Sequence, residues 1–469
     1  MLRSQYFMLD QFAPIAVYSK LKEYFKEEVT FLFESAGNSE GNYSFIIIGA
    51  RERLVYRDHT TYYHNPQGRI ESLDISPFAF LKSYYSQLDT AEYQRLSKAL
   101  GVGYIDGFIG FIGYDMVRVF EPVLEPYMSG LDDTMNTPDM DLVLPKMIVA
   151  YSHKDHKITL ISQVEAMISQ FDTLEEMLKS SYSYTPLQAL EGDDAGSFSF
   201  SKEAFFEMVR KSKEMIRSGD VFQILMTNRF TRHVTVDPFS FYRILRTKNP
   251  SPYMFLMEYE DFSIVGSSPE VMVRLNNNEL LLRPIAGTRQ RGATKQRDEA
   301  LEAELLADPK ELAEHLMLID LGRNDVGRVA KVGTVNVKDM MHIERYSHVM
   351  HIVSDVEATL ADDKDMFDLF AATFTAGTMT GAPKIRAMEL IAEFEGLKRG
   401  FYSGAVGYFG FDGNMDSAIT IRTSLVMPDK VILQAGAGIV ADSLEEMEYI
   451  EVHNKLGALM SSLDDLKAL

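Results

Sequence analysis

The segment 403–440 constrains the fold most, because it holds three apolar runs separated by tight turns. Two runs flank the turn Asp412-Gly413, and the third follows the turn Pro428-Asp429. This spacing predicts an antiparallel meander. Elsewhere in the second half of the chain, predicted helices alternate with paired strands. The sequence therefore predicts an α+β protein whose core is a large mixed or antiparallel sheet flanked by helices.

The chain divides at an acidic stretch of small residues, 191–197, which is predicted to be a linker. It separates a first region, 1–190, from a second region, 198–463. The first region contains an apolar, glycine-rich run at 101–114, which is typical of closely approaching backbones in a sheet. Part of that run is echoed at 404–409, which is compatible with an internal duplication.

Composition excludes several classes of function. The 469 residues include no cysteine, which rules out disulfides, cysteine-ligated zinc and a thiol nucleophile. The formal net charge of −21 argues against nucleic-acid binding, which needs a basic surface. No run approaches the ~18 apolar residues of a membrane span, and the start lacks a signal-peptide core. We therefore expect a cytoplasmic protein with no membrane or nucleic-acid partner.

A helix is predicted from Pro309, with Asp308 capping its first turn. Glu311 and Glu314 lie three residues apart on this helix and therefore side by side. Glu311 has a structural explanation, as the reciprocal acid of a capping box with Asp308. Glu314 has none. Such acids usually form a solvated face, but adjacent carboxylates also repel unless a cation or protons satisfy them.

A second acidic pair, Glu448 and Glu451, lies three residues apart in the predicted closing helix. Glu446 is predicted to form a capping box with Ser443. A solvated stripe remains the alternative for the pair, with Glu451 bonded to Lys455 one turn on. Two carboxylate pairs predict a site for Mg²⁺ rather than zinc.

Two glycine-containing stretches adjoin predicted helices. The stretch 434–441 matches G-x-G-x-x-A, but no strand follows the helix, so a dinucleotide fold is rejected. Its bare backbone at a helix start could instead hold a carboxylate through N–H groups. The loop 378–384 is similar, although an ordinary helix cap is the simpler explanation.

Cationic and titratable side chains accompany these stretches. Arg422, in the predicted alternating strand 418–423, could bind a planar carboxylate or be a surface charge. Lys384 and Lys455 are further cations. His348 and His351 could serve as acids or bases, or be satisfied core histidines.

Five long motifs occur in order along the chain, at 284–289, 311–325, 344–351, 378–388 and 434–442. Together they resemble the chorismate-utilising enzymes and, within that family, the large, chorismate-binding subunit (component I) of anthranilate synthase. The resemblance covers nearly the whole chain. It implies that family's fold, with an N-terminal regulatory lobe at 1–190 and a catalytic domain at 198–463.

The resemblance also implies roles for matching residues. Mg²⁺ would be held by four glutamates, Glu311, Glu314, Glu448 and Glu451. The substrate would be bound by Tyr402, Arg422, Lys455 and the backbone of Gly436, Ala437 and Gly438. Glu270 would protonate the leaving C4 hydroxyl of chorismate, Thr288 would position that end of the ring, and His351 would assist the loss of pyruvate.

Two positions discriminate within the family. Gln223 stands where water-using relatives carry a lysine, which points to an amine product. Ala286 stands where many aminodeoxychorismate synthases carry a nucleophilic lysine, which points to direct attack of ammonia at C2. The implied products are anthranilate and pyruvate, in the first committed step of tryptophan biosynthesis. Thr375 departs from the usual proline and leaves the motif legible.

The resemblance further implies feedback inhibition and a partner. In feedback-inhibited relatives, tryptophan is bound by segments matching Glu34 and Ser35 and the run Pro252, Tyr253, Met254 and Phe255. Since the chain lacks cysteine, glutamine use would need a separate amidotransferase small subunit (component II). Two alternatives stay open: an aminodeoxychorismate synthase component I of the folate pathway, and a non-catalytic, tryptophan-binding regulatory subunit.

Overall fold

The computed structural model describes residues 2–27, 29–35, 43–346 and 349–469. Those residues form 22 strands and 14 α-helices. The strands are β1 (Arg3–Met8), β2 (Thr30–Glu34), β3 (Tyr43–Arg57), β4 (Thr60–His64), β5 (Ile70–Leu73), β6 (Gly107–Ile112), β7 (Met140–Ser152), β8 (Lys157–Ser162), β9 (Ser197–Phe198), β10 (Gln223–Arg232), β11 (Tyr253–Glu258), β12 (Ser263–Ser268), β13 (Val271–Asn276), β14 (Glu279–Leu282), β15 (Ile285–Gln290), β16 (Asn336–Arg345), β17 (Val349–Thr359), β18 (Gly381–Ala382), β19 (Ala405–Gly410), β20 (Met415–Ile419), β21 (Thr423–Met427) and β22 (Lys430–Ile439). The α-helices are α1 (Pro14–Phe25), α2 (Pro77–Tyr85), α3 (Thr90–Leu100), α4 (Val117–Phe120), α5 (Glu125–Met128), α6 (Glu165–Ile168), α7 (Phe171–Lys179), α8 (Lys202–Ser218), α9 (Pro238–Lys248), α10 (Lys295–Ala307), α11 (Pro309–Gly327), α12 (Met366–Thr373), α13 (Lys384–Glu395) and α14 (Glu445–Lys467).

The strands form one connected antiparallel network with two branches. One branch runs in the order β10, β22, β21, β12, β11, β2, β3, β7, β8, β1. The other leaves β7 and runs through β6, β19, β20, β13, β14 and β17, which pairs with both β15 and β16. The predicted α+β class with a large sheet is confirmed. Strands before and after the predicted linker pair directly, at β2 with β11 and at β6 with β19.

Helices cover the outer face of the first branch. α14 packs on β22 and against α8 and α9, while α13 packs on β10. Their apolar faces share a buried cluster with the strands beneath them, including Phe205 of α8 and Leu456 of α14. A second, larger cluster fills the space between the two branches of the sheet. The central strands of the first branch, among them β10, β12 and β22, are therefore buried on both faces.

The two glycine-rich echoes lie side by side, because β6 pairs with β19 and Gly110 faces Gly407. A Cβ on Gly110 would lie 2.0 Å from the Asp141 carbonyl oxygen, and one on Gly407 would lie 2.3 Å from that of Asp416. The predicted close approach of backbones is confirmed. Glycine is needed at both positions because neighbouring backbones leave no room for a side chain.

The predicted meander is two hairpins instead of a continuous run. β20 ends at Ile419 and pairs with β13, whereas β21 begins at Thr423 and pairs with β12. Between them Arg422 takes a left-handed backbone conformation, with φ of 52°. The prediction of an alternating strand through Arg422 is therefore wrong, because the chain turns there to pass from one branch of the sheet to the other.

A buried ion pair at the end of α13 joins this helix to strand β10. The Arg399 guanidinium donates to Glu395 at 2.9 and 2.6 Å. It also donates to the carbonyl oxygens of Met379 and Leu225, both at 2.9 Å. Glu395 in turn accepts from the backbone N–H of Thr227 at 2.9 Å. The pair thus joins three separate segments of chain.

We expect Glu395→Gln to lower the free energy of unfolding by about 3–5 kcal/mol, because the buried Arg399 charge would lose its counter-ion. Urea denaturation measures the change. The control is Glu389→Gln on the same helix, whose ion pair with Arg386 is half-exposed and should be worth under about 1 kcal/mol. Equal losses in the two variants would contradict the role given to the buried pair.

Candidate active site

Helix α11 begins as predicted but closes its first turn differently. Asp308 accepts from the N–H groups of Lys310 at 3.0 Å and Glu311 at 3.4 Å, which confirms the cap. The Asp308 N–H donates to the Leu305 carbonyl, at 3.3 Å. Glu311 instead accepts from Arg289, at 3.1 Å. The reciprocal half of the predicted capping box is therefore wrong, because a cation distant in sequence takes the Glu311 carboxylate.

Glu314 is largely shielded from solvent beside other acids. Its carboxylate accepts from the Gln223 amide at 3.3 Å. Burial, followed by the negative charges of Glu311 and Glu451, raises its pKa above the ordinary value. The Gln223 hydrogen bond opposes this shift only in part. The Lys310 charge also opposes it, but weakly, so negative charge dominates the surroundings of Glu314.

Glu448 is in a similar position on α14. Burial raises its pKa, the Ser443 hydroxyl opposes the shift, and Glu451 adds to it. Glu451 pairs with Lys455 at 2.6 Å, which confirms the predicted one-turn ion pair. Within the described residues, Glu451 is thus the member of this pair with a cation in direct contact.

The predicted capping box at the start of α14 is wrong. The helix starts one residue later than that box requires, with Leu444 at the cap position and no side-chain cap. The Ser443 hydroxyl accepts from the Val440 N–H at 3.0 Å. The acid of the predicted box, Glu446, pairs with Lys202 at 2.7 Å.

The two acidic pairs are close enough to interact, since the Glu451 charge contributes to the raised pKa of Glu314. Among the residues with described structure, no group of three or more acidic or histidine side chains is gathered tightly enough to hold a metal. The donor chemistry nevertheless fits Mg²⁺. All four groups are carboxylates, and a divalent cation would relieve the repulsion that disfavours ionised Glu314 and Glu448.

Arg422 presents a cation to the same side. Its side chain is half-buried, and it forms no hydrogen bond or ion pair with any residue in the described ranges. Burial lowers its pKa, against the opposing effects of Tyr402, Glu451 and Glu270. Burial also raises the pKa of Tyr402 to about 12, although Arg399 and Arg422 oppose the change. A half-buried guanidinium without a partner is suited to bind an anionic ligand.

Gly436, Ala437 and Gly438 lie inside β22, where they face Thr227, Met226 and Leu225 of β10. The prediction that they form a bare backbone at a helix start is therefore wrong. The absence of a side chain at Gly438 is still required, because a Cβ there would lie 2.5 Å from the Gln223 amide nitrogen. Lys455 donates to the Gly436 carbonyl at 2.9 Å, which places its ammonium over the strand.

Glu270 follows β12 and is 8% exposed. Burial raises its pKa to about 7, while a hydrogen bond from Thr378 and the charges of Arg422 and Lys455 oppose the shift. The Thr378 hydroxyl donates to the Glu270 carboxylate at 3.0 Å. A large fraction of this side chain is therefore protonated at neutral pH, which suits a general acid.

We expect Thr378→Val to move the alkaline limb of the kcat/KM profile to higher pH. The Thr378 hydrogen bond favours ionised Glu270, so its loss raises the Glu270 pKa further and keeps the acid protonated to higher pH. Initial rates between pH 6 and pH 10 measure the shift. Thr378→Ser keeps the hydroxyl and should leave the limb in place. An unchanged limb in Thr378→Val would contradict the link between Thr378 and Glu270.

His351 of β17 contacts Thr288 of β15. Its Nδ1 lies 3.1 Å from the Thr288 hydroxyl and 3.0 Å from the Gly287 carbonyl oxygen. Because a carbonyl only accepts, Nδ1 carries the proton and Nε2 is left as the basic nitrogen. Burial lowers the pKa of His351, which favours this neutral form. His348, the other candidate histidine, lies outside the described residues.

The six residues predicted to bind an inhibitor lie together at one cavity of about 1220 Å³. They are Glu34, Ser35, Pro252, Tyr253, Met254 and Phe255. β2 pairs with β11 so that Glu34 faces Met254. Glu34 accepts from Tyr242 at 2.6 Å and from Arg246 at 3.0 Å. The sheet thus joins the two predicted segments, which are more than 200 residues apart in the chain.

Sequence reasoning missed the contacts that act at long range. Thr378 lay in a loop already singled out, but nothing in the sequence pairs it with Glu270, 108 residues away. Arg289 lay in a resemblance motif without any role. A positive φ at Arg422 had no signal either, since arginine rarely adopts one.

Residues 30–461 match the protein family described as chorismate binding enzyme. The chain therefore belongs to the chorismate binding enzyme family, which confirms the resemblance. The anthranilate synthase component 1 of Acetivibrio thermocellus is 40% identical to it, over 97% of this chain and 94% of that protein. That of Acinetobacter calcoaceticus is 42% identical, again over 97% of this chain and 94% of that protein.

Solved structures give the same result. The crystal structure of anthranilate synthase component I from Streptococcus pneumoniae TIGR4 superposes with a TM-score of 0.77 at 33% identity, covering 90% of this chain and 93% of that one. The menaquinone-specific isochorismate synthase MenF from Escherichia coli shares the fold, with a TM-score of 0.72 at 19% identity over 99% of this chain and 95% of that one.

In the described parts of the chain, no helix is both long and apolar enough to cross a membrane.

Proposed function

We propose that this chain converts chorismate and ammonia to anthranilate and pyruvate, as its relatives' name, anthranilate synthase component 1, indicates. This reaction is the first committed step of tryptophan biosynthesis. The observation that carries the proposal is a buried acid with a pKa of about 7, Glu270, close to the Arg422 guanidinium, which has no side-chain partner among the described residues. One supplies a proton to a leaving oxygen, and the other binds a carboxylate.

Substrate binding rests on the cationic side of the site. Chorismate carries two carboxylates, so it needs two places of positive potential. Arg422 and the Tyr402 hydroxyl would bind the pyruvyl carboxylate against the backbone of Gly436, Ala437 and Gly438. Lys455 would add a cation above that strand, where it donates to the Gly436 carbonyl.

The ring carboxylate would meet the acidic side of the site, where Glu311, Glu314, Glu448 and Glu451 would hold Mg²⁺ directly or through water. When bound, Mg²⁺ supplies positive charge that binds and polarises this carboxylate. Arg289 would orient Glu311, since the two side chains are already joined. Gln223 would hold Glu314 toward the ring.

Two of the proton transfers in the reaction would use side chains of this site. Protonated Glu270 gives its proton to the C4 oxygen as ammonia attacks C2, and that oxygen leaves as water. Thr288 would position this end of the ring. His351 would then assist the loss of pyruvate, because its Nε2 can take the proton that leaves C2 as the ring becomes aromatic. The departing enolpyruvyl group takes up a proton at its methylene carbon and so becomes pyruvate. Gln223 is not a base for water, which favours ammonia as the nucleophile.

Glutamine would require a partner. The chain has no cysteine, so it has no cysteine nucleophile for glutamine hydrolysis. We infer that an amidotransferase small subunit supplies ammonia to this chain. The purified chain should form anthranilate with ammonium and none with glutamine, and it should gain glutamine-dependent activity when the small subunit is added. Glutamine hydrolysis by the chain alone would contradict this division of labour.

We further propose that tryptophan binds in the cavity at Glu34 and Ser35 and inhibits the enzyme. Ser35→Phe would place a bulky ring in the part of the cavity beside Glu34, so we expect the half-inhibitory tryptophan concentration to rise at least about tenfold, a cost of about 1.4 kcal/mol in binding. Initial rates with and without tryptophan measure the effect. The control, Ser72→Phe, changes an exposed residue of β5. Absent inhibition of the wild-type chain, or equal inhibition of Ser35→Phe, would contradict the proposal.

A further inference from the structure

Behind Glu270 lies a second, much smaller cavity of about 30 Å³. Glu270 and Thr378 line one part of it, and Asp325 of α11 lines another. The remaining lining is mostly apolar, with Leu318 and Leu321 among its side chains. A space of this size holds a water molecule when polar groups are present to bind it. The cavity therefore joins the candidate acid to a second carboxylate that has no part in substrate binding.

Asp325 is buried, at 4% exposure, and within the described residues one of its two carboxylate oxygens accepts a hydrogen bond. The Lys384 ammonium donates to Oδ2 at 2.5 Å. Oδ1 makes no hydrogen bond with any residue in the described ranges. A carboxylate oxygen that has no protein partner is satisfied by water or by a proton. Here that oxygen belongs to a residue that lines the cavity behind Glu270.

We propose that Asp325, held by Lys384, is a positioning residue that returns protons to Glu270 through water in this cavity. The inference rests on the proposed function, in which Glu270 loses a proton in every turnover. The Glu270 carboxylate takes a proton from the cavity water as that water takes one from the Asp325 carboxyl group. Asp325 is then reprotonated by an acid in solvent, while the Lys384 ammonium holds the Asp325 side chain in place. Glu270 gains one proton and one proton is taken up from solvent, with no oxidation or reduction.

The surroundings of both acids are compatible with this transfer. Burial raises the pKa of Asp325, and the charges of Lys384 and Arg328 oppose the shift while Glu121 adds to it. Glu270 faces Arg422 and Lys455 on its substrate side. The Thr378 hydroxyl occupies one Glu270 oxygen. The other oxygen remains for substrate or for water.

The test is Asp325→Asn in the full chain, assayed with chorismate, ammonium and Mg²⁺. We expect kcat to fall at least about tenfold, with KM for chorismate within about twofold. The solvent deuterium isotope effect on kcat should rise, because proton return becomes limiting. Imidazole buffer at fixed pH should restore the rate as its concentration increases. Simple structural damage would lower kcat without producing either signature.

Asp325→Asn leaves Lys384 buried without its partner, so the double variant Asp325→Asn with Lys384→Met is made in parallel. It removes both charges and should show the same loss and the same imidazole response. The control is Asp139→Asn, which removes another aspartate of 4% exposure from an ion pair; its isotope effect and buffer response should stay at wild-type values.

Two results would overturn the inference. One is a folded single or double variant that keeps kcat within twofold of wild type. The other is a lowered kcat that neither responds to imidazole nor changes its isotope effect. If the wild-type chain forms no anthranilate, the proposed function fails and the inference fails with it. If wild type is active and the variants are unaffected, the inference fails alone.

Discussion

We expect Glu270→Gln to lower kcat by about 10²–10⁴-fold, the range typical of a lost general acid. Glutamine has nearly the same shape and can still accept from Thr378, but it has no proton to give to the C4 oxygen. KM for chorismate should change little, since substrate binding is assigned to Arg422 and Tyr402. Initial rates of anthranilate formation at pH 7, with saturating ammonium, measure the loss.

The control for this variant is Glu279→Gln, which changes an exposed glutamate of β14 bonded to Thr359 at 3.1 Å. It should keep kcat within about twofold. The wild-type rate should also fall as pH rises above about 7, because Glu270 then loses its proton. Full activity in Glu270→Gln would remove Glu270 from the mechanism and leave the acid unassigned.

The second large effect is expected for Glu314→Gln, which should lower Mg²⁺-supported turnover by at least about 10²-fold, because losing even a group that only supports a metal ligand typically costs about 10–100-fold. Stability should not fall. Burial raises the Glu314 pKa above its ordinary value of 4.5, so ionised Glu314 disfavours the folded state above that pH. A neutral amide removes that cost. Thermal unfolding near pH 7 should therefore give a Tm equal to or above that of wild type.

A separate readout keeps the metal assignment testable without turnover. Millimolar Mg²⁺ should raise the Tm of wild type, because a ligand that binds only the folded state stabilises it. It should raise the Tm of Glu314→Gln less. Asp320→Asn, an exposed change on the same helix, should behave as wild type. Equal Mg²⁺ responses in all three proteins would contradict the assignment of Glu314.

Local features of the fold were predictable from the sequence, because they depend on neighbouring residues. The Asp308 cap, the Glu451–Lys455 pair and the hairpin at Asp412-Gly413 follow from spacings of a few residues. The class of fold also followed, since turn residues between apolar runs specify antiparallel pairing. These features need no knowledge of what packs above them.

The rest depends on contacts between distant segments. Glu311 accepts a hydrogen bond from Arg289 instead of closing the predicted capping box. The Gly436–Gly438 stretch lies in a strand because it pairs with β10. Arg422 lies outside any strand, contrary to the prediction, because the chain passes there from one branch of the sheet to the other. The site residues came from the family resemblance, and no spacing in the sequence places Thr378 or Asp325 near Glu270.

The most direct test of the account is the product formed by the purified chain from chorismate, ammonium and Mg²⁺. Anthranilate is fluorescent, so its formation can be followed continuously and verified by mass. We expect anthranilate and pyruvate in equal amounts, formed at a rate that depends on Mg²⁺. A non-aromatic aminodeoxychorismate would instead identify a folate-pathway enzyme. No turnover, together with tryptophan binding, would identify a regulatory subunit, and either result would contradict the account.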